Sequence, residues 1–151
     1  MITLKRTTNS DKDFLFLVGK LDMYLAGRYG TLQKYYDQYN KIENLDTVVV
    51  AYYEEEPAGC GCFKKFDDDS VEVKRMFVAD AYRGKKIGQA ILSELEKWAT
   101  ELGHKATVLE LGNKQPEAIE LYRKQGYTEI PNYGQYIGME TSICMRKELS
   151  R

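Results

Sequence analysis

Residues 82–89 read YRGKKIGQ, with Arg83, Lys85 and Lys86 set around two glycines between an apolar strand-like segment and an apolar helix-like segment. This order of residue types suits an anion. A helix start leaves its first N–H groups without partners, and its dipole favours negative charge there. Gly84 and Gly88 remove side chains where a ligand can approach the backbone. A phosphate or pyrophosphate fits such a junction. The spacing is neither the GxxxxGK[ST] of nucleotide hydrolases nor the dinucleotide fingerprint GxGxxG. On physics alone a second reading stays open, in which a basic helix start uses its glycines for packing.

Other chemistry-bearing residues are weaker signals. Cys60-Gly61-Cys62 is a CxC pair, but the chain has one histidine, so a closed zinc site lacks ligands and no metal is expected. Two thiols buried on one strand face fit better. Cys144 is distant in sequence from the loop, and His104 follows a helix-ending glycine as a surface residue. Arg28 and Arg75 are cations suited to catching a carboxylate. Tyr29, Tyr35, Tyr36 and Tyr39 cluster early, and Tyr133, Tyr136 and Met139 cluster late. Aromatic rings hold ammonium groups by cation–π contact; they also serve packing or a dimer face.

These residues need elements to hold them. Ile2 to Thr7 reads as a strand. Asn9-Ser10-Asp11 offers helix caps, and Phe14, Val18, Leu21 and Leu25 follow at helical spacing until Gly30. Residues 31–42 form a second helix candidate. Strands are expected at Thr47 to Tyr53, Cys60 to Phe66 and Ser70 to Val78, with EEEPAG and DDD as the turns. Gln89 to Leu102 is amphipathic, with Ile91, Leu95, Trp98, Ala99 and Leu102 on its apolar side, and Gly103 ends it. Then come a strand at Ala106 to Leu111, a helix opened by Pro116 and stopped by Gly126, and strands at Tyr127 to Ile130 and Ser142 to Leu149. Hairpin-linked strands followed by βαβ units imply a mixed α/β fold with helices packed on one sheet.

The chain has 151 residues, which suits one domain over 1–151. Lys plus Arg total 22 and Asp plus Glu 23, which argues against a nucleic-acid binder relying on bulk positive charge. No apolar run reaches the roughly 20 residues of a membrane span. The N-terminus, MITLKRTTNS, lacks the apolar stretch of a signal peptide. Three cysteines are an odd number, unlike a disulfide-stapled secreted scaffold. A cytoplasmic protein with reduced thiols is expected, and monomer and homodimer both fit.

Strand VEVKRMFV, loop ADAYRGKKIGQAIL and the later segment PEAIELYRKQGY, taken together, resemble the GNAT superfamily of N-acetyltransferases. The family motif at the strand-to-helix turn is [Q/R]-x-x-G-x-[G/A]. Arg83 fits its first position and Gly88 its last; Lys86 stands where the central glycine falls. The likeness runs from Val71 to Tyr127. It implies a mixed, mostly antiparallel sheet of about seven strands, splayed between the fourth and fifth, with about four helices.

The resemblance further implies acetyl-CoA as cosubstrate. Its pyrophosphate would sit on amides from Arg83 through Gly84, Lys85, Lys86, Ile87 and Gly88 to Gln89. Its pantetheine arm would run along Met76, Phe77 and Val78 like an added strand, with Gln115 in the place of a common family asparagine. Acetyl transfer to an amine needs a neutral nucleophile, donors for the oxyanion and help for the leaving thiolate. The family implies Tyr122 as the acid and Glu72 as the base, with the N–H of Phe77 or Val78 at the oxyanion. Alternation puts Glu72, Lys74, Met76 and Val78 on one strand face, and Val71, Val73, Arg75 and Phe77 on the other. A core tyrosine and an exposed strand glutamate remain the plain alternatives. Tyr29, Arg75 and Tyr136 border the implied acceptor pocket. The acceptor is a small amine, an amino acid-like amine, or a protein lysine or N-terminus. The alternative class is a noncatalytic acyl-CoA-binding module that regulates a partner.

Overall fold

The computed structural model describes residues 1–29 and 45–149, with the side chains of Arg28 and Tyr29 excepted. The helix expected over 31–42 lies outside these residues. The elements run β1 (Ile2–Thr7), α1 (Lys12–Tyr29), β2 (Val48–Tyr53), β3 (Glu56–Lys65), β4 (Ser70–Val78), α2 (Ile87–Glu101), β5 (Ala106–Gly112), α3 (Pro116–Lys124), β6 (Thr128–Ile130) and β7 (Ser142–Glu148). Single turns of tighter helix occupy Asp80–Tyr82 and Gly134–Tyr136. The strands make one sheet in the order β1-β2-β3-β4-β5-β7-β6. Every neighbouring pair is antiparallel except β4 and β5.

Local chemistry explains the boundaries. Asp11 Oδ1 accepts from the N–H groups of Asp13 at 2.9 Å and Phe14 at 3.1 Å, which caps α1 and contributes about 1 kcal/mol. The EEEPAG turn is shorter than expected. Only Glu54 and Glu55 turn, both with positive φ, and β3 begins at Glu56. Asp67 Oδ1 accepts from the Asp69 and Ser70 amides and holds the acidic turn into β4.

The two sheet faces carry different helices. Phe14, Leu17 and Leu21 of α1 bury against Val48, Val50, Cys60, Cys62 and Phe77. On the other face, Ile87, Ile91, Leu92, Leu95 and Ala99 of α2 pack on Val49, Ala51, Phe63, Val71 and Val73, joined by Tyr122 and Tyr127. Leu102, expected on that apolar side, is exposed, because α2 has ended one residue earlier. A side-chain carbon on Gly59 would stand 2.7 Å from Phe77 O and 2.9 Å from Ile91 Cδ1, so glycine is what lets α2 lie this close to β3. No helix among the described residues is long and apolar enough to cross a membrane.

Two irregularities in β4 shape the site. First, its parallel pairing with β5 runs from Ser70↔Ala106 to Val73↔Leu109 and stops, while β4 continues to Val78 and β5 to Gly112. The strands splay beyond that point, as expected. Second, β4 carries a bulge. Cys60 pairs with Phe77 and Cys62 with Lys74, so β4 spends one more residue than β3 over this interval. Arg75 takes up the excess with φ 58°.

The bulge overturns the expected alternation. Met76 and Val78 pack with Val71 and Val73 on the α2 side. Phe77 packs on the α1 side, where Arg75 also meets Asp22 of α1 and Cys62 Sγ donates to Lys74 O. Period-two counting fails because an extra residue resets the phase of every residue after it.

Candidate active site

The splay opens two adjoining cavities. The larger, about 430 Å³, is lined by Met76, Phe77 and Val78 of β4, by Arg83, Gly84, Lys86, Ile87, Gly88 and Gln89 of the loop and α2, and by Gln115, Ala118, Leu121 and Tyr122. The smaller, about 100 Å³, is lined by Glu72, Lys74 and Arg75, by Glu110 of β5, and by Tyr136. Leu21, Met76, Gln115, Ala118 and Tyr122 border both. Most site residues expected from sequence thus converge on one continuous cleft.

The loop does what its residue types suggest, with different details. Lys86 sits at φ 65° and ψ 22° as the residue before α2, and no side chain caps that helix start. A left-handed residue in such a turn brings successive backbone N–H groups toward one side, the arrangement that suits an anion. Arg83 folds back: its Nε donates to Val78 O at 3.1 Å, and its guanidinium lies over the Tyr24 ring and near Glu117. Lys85 is absent from the groove lining; its ammonium stands over the Tyr53 ring at 4.9 Å. Gly84 has φ 80° and open space beside it. Gly88 differs from expectation, since a side-chain carbon there would meet Leu121 Cδ2 at 3.2 Å. Its smallness joins α2 to α3 at the groove floor.

Two buried charged side chains line the smaller cavity. Glu72 and Lys74 are nearly sealed, with Lys74 Nζ 3.7 Å from Glu72 Oε1. The Tyr133 hydroxyl donates to Glu72 Oε2 at 2.8 Å. Tyr133 also packs edge-on against Tyr136 and Phe66. Burial lowers the Lys74 pKa although Glu72 opposes the shift. Arg75 Nη1 donates to Asp22 Oδ1 at 2.5 Å, so α1 holds that guanidinium at the cavity edge.

Glu110 was missed by sequence reasoning. Burial pushes its pKa up to about 7, against the Ser142 hydroxyl and Lys74, with Glu72 adding to the rise. The available signal was a lone charge inside ATVLELG, a central strand otherwise apolar or small. Tyr122 is buried, and desolvation followed by the Glu110 charge raises its pKa. Its ring meets Tyr127 at 5.6 Å. The Tyr127 hydroxyl bonds Glu96 and Thr107, which fixes the wall behind Tyr122. The Tyr29 side chain and residues Tyr35, Tyr36 and Tyr39 lie outside the described residues.

The remaining candidates fall elsewhere. Cys60 and Cys62 are fully buried on one face, as expected, and burial pushes the Cys62 thiol up to about 12. Cys144 is buried beside Tyr136. His104 is half-buried with its ring edge-on to Phe63, more enclosed than the surface position expected.

Residues 17–127 match the model of the Acetyltransferase (GNAT) family. The chain belongs to the GNAT acetyltransferase family. It is 31% identical to an IAA acetyltransferase of Azospirillum brasilense across 98% of each chain. Among solved structures, a Klebsiella pneumoniae protein assigned as an acyl-CoA N-acyltransferase superposes with a TM-score of 0.79 and 26% identity, covering 99% of each chain. The ribosomal-protein-S18-alanine N-acetyltransferase of Escherichia coli shares the fold, with a TM-score of 0.69 at 18% identity over 100% of this chain and 96% of that one.

This GNAT protein is therefore an acyltransferase, and enzymes of the family take acetyl-CoA or another acyl-CoA as cosubstrate. Its larger groove fits such a molecule. An uncapped helix start is suited to a diphosphate's charge. The β4 edge released by the splay leaves main-chain groups that suit an extended arm. Among the described residues, no cluster of His, Cys, Asp and Glu is arranged to hold a metal ion.

Proposed function

We propose that this acyltransferase moves the acetyl group of acetyl-CoA to a primary amine by direct attack, with one domain doing both binding and chemistry. The observation that carries the reading is the position of Tyr122, on the wall shared by the coenzyme-sized groove and the polar cavity.

The amides from Arg83 to Gln89 hold the diphosphate, and Met76, Phe77 and Val78 guide the arm toward Tyr122. The acceptor enters the cavity of Glu72, Lys74 and Glu110. An alkyl amine has a pKa of about 10 and must lose a proton to attack. Glu110, with its pKa near 7, is poised to accept that proton directly or through one water. Glu72 is held by Tyr133 and Lys74; it raises the Glu110 pKa and helps draw the ammonium in. The amine nitrogen then bonds to the acetyl carbon, the N–H of Phe77 or Val78 meets the oxyanion, and the carbon–sulfur bond breaks as the nitrogen gives up its second proton through water to the departing sulfur, leaving the amide and the CoA thiol.

Tyr122 donates a hydrogen bond to the departing sulfur. Its pKa stands above the usual phenol range, while a thiol sits near 8.5. Outright proton transfer to sulfur would run uphill, so its role is to donate and keep its proton. Tyr122→Phe tests the proposal: thiol release should fall while CoA affinity holds. Full activity in that variant would remove Tyr122 from the chemistry.

A further inference from the structure

The walls of the smaller cavity carry both signs of charge in a fixed order. β4 supplies Glu72, Lys74 and Arg75, and β5 supplies Glu110 opposite Tyr122 and Tyr136. The side chains of Lys74 and Glu72 keep only 4% and 6% of their surface exposed. Their contact at 3.7 Å is an ion pair longer than a hydrogen bond. An ammonium has three donors and no acceptor. A buried cation is costly unless anions and acceptors surround it. Lys74 and Glu72 thus set a cation and an anion side by side in the wall of the cavity. Arg75 adds a second cation, anchored by Asp22.

We propose that the acceptor is a compact amine carrying its own carboxylate, as an α-amino acid does, with the carboxylate read by Lys74 and the amine delivered to Glu110. This rests on the N-acetyltransferase reading above and narrows it. Charge order is the argument. A polyamine, or a lysine side chain on a protein, brings only positive charge. It would set that charge against Lys74 and Arg75 where little water screens the repulsion. A zwitterion places each of its charges against the opposite sign. Size agrees, because a cavity of about 100 Å³ admits a compact molecule. Lys74 sits on a central strand beside the bulge, so its charge is held in place.

The test uses matched ligands on the whole protein. The proteinogenic amino acids, their decarboxylated amines, their methyl esters and acetyl-blocked lysine peptides are titrated calorimetrically into CoA-saturated protein. The same panel is followed by thiol release with acetyl-CoA. At least one amino acid should bind ten-fold or more tightly than its decarboxylated and esterified partners. Lys74→Gln should shrink that ratio to two- or three-fold and leave CoA affinity unchanged. The ligand pairs need no variant, so poor folding of Lys74→Gln leaves the test standing.

The inference is overturned if decarboxylated amines or lysine peptides bind as tightly as the best amino acid. It is overturned equally if no amino acid binds, or if the preference survives in a folded Lys74→Gln protein. Amino acids that bind without thiol release defeat the transferase reading and leave the inference. Turnover of decarboxylated amines as fast as amino acids does the reverse.

Discussion

Tyr133 and Glu72 lie sixty-one residues apart and share a hydrogen bond of 2.8 Å, phenol donating to carboxylate. The bond ties the loop between β6 and β7 to the strand that lines the smaller cavity. A hydrogen bond to a charged group contributes about 1.5–3 kcal/mol. Tyr133→Phe should therefore lower stability by about 2 kcal/mol and raise KM for the acceptor, with CoA affinity unchanged. Urea unfolding and steady-state kinetics check both. An unchanged acceptor KM would make this bond purely structural.

Glu110 sets the expected pH dependence. Lys74 and Glu72 face it from β4, Tyr122 from α3, Tyr136 from the late helical turn, and Ser142 and Cys144 from β7. Only its ionised form accepts a proton, so kcat/KM should climb with pH up to about 7 and lose that limb in Glu110→Gln. General-base loss predicts a fall of about 10²–10⁴ in rate.

The same residue makes a stability prediction with a definite sign. Its pKa rises from 4.5 to about 7 on folding, so folding favours the protonated form. That advantage is full below pH 4.5 and is lost as pH rises through about 7. Glu110→Gln should thus stabilise the protein at pH 8, by on the order of 3 kcal/mol at most, and have little effect at pH 4. Thermal unfolding at the two values checks it.

Lys86 offers a backbone test. At φ 65° it occupies a conformation that costs a side-chain-bearing residue about 1–2 kcal/mol. Lys86→Gly should relieve that strain and gain roughly 0.5–1 kcal/mol after the larger unfolded-state entropy of glycine is counted. CoA binding should persist, weakened only by the lost charge. Abolished binding would show that the lysine side chain, and not the turn, grips the coenzyme.

The loop and the element order were legible because their signals are local. Gly84, Gly88 and the cations announce a helix start, and apolar spacing places α2. Lys86 takes the left-handed conformation that a glycine adopts without strain. Three things were hidden, each decided by distant neighbours. Glu110 becomes a candidate only when the splay leaves it half-buried between β4 and β7. The grip of Tyr133 on Glu72 depends on where a late loop returns. The role of Gly88 depends on Leu121 from another helix.

The bulge at Arg75 divides one strand into halves that obey opposite inside–outside rules. Straightening that bulge with Arg75 kept in register would exchange the tenants of the two helix layers, sending Met76 toward α1 and Phe77 toward α2. The larger cavity and the hydrophobic interior would trade a wall. Substitution tolerances measured before this position therefore cannot be extrapolated past it by counting odd and even residues.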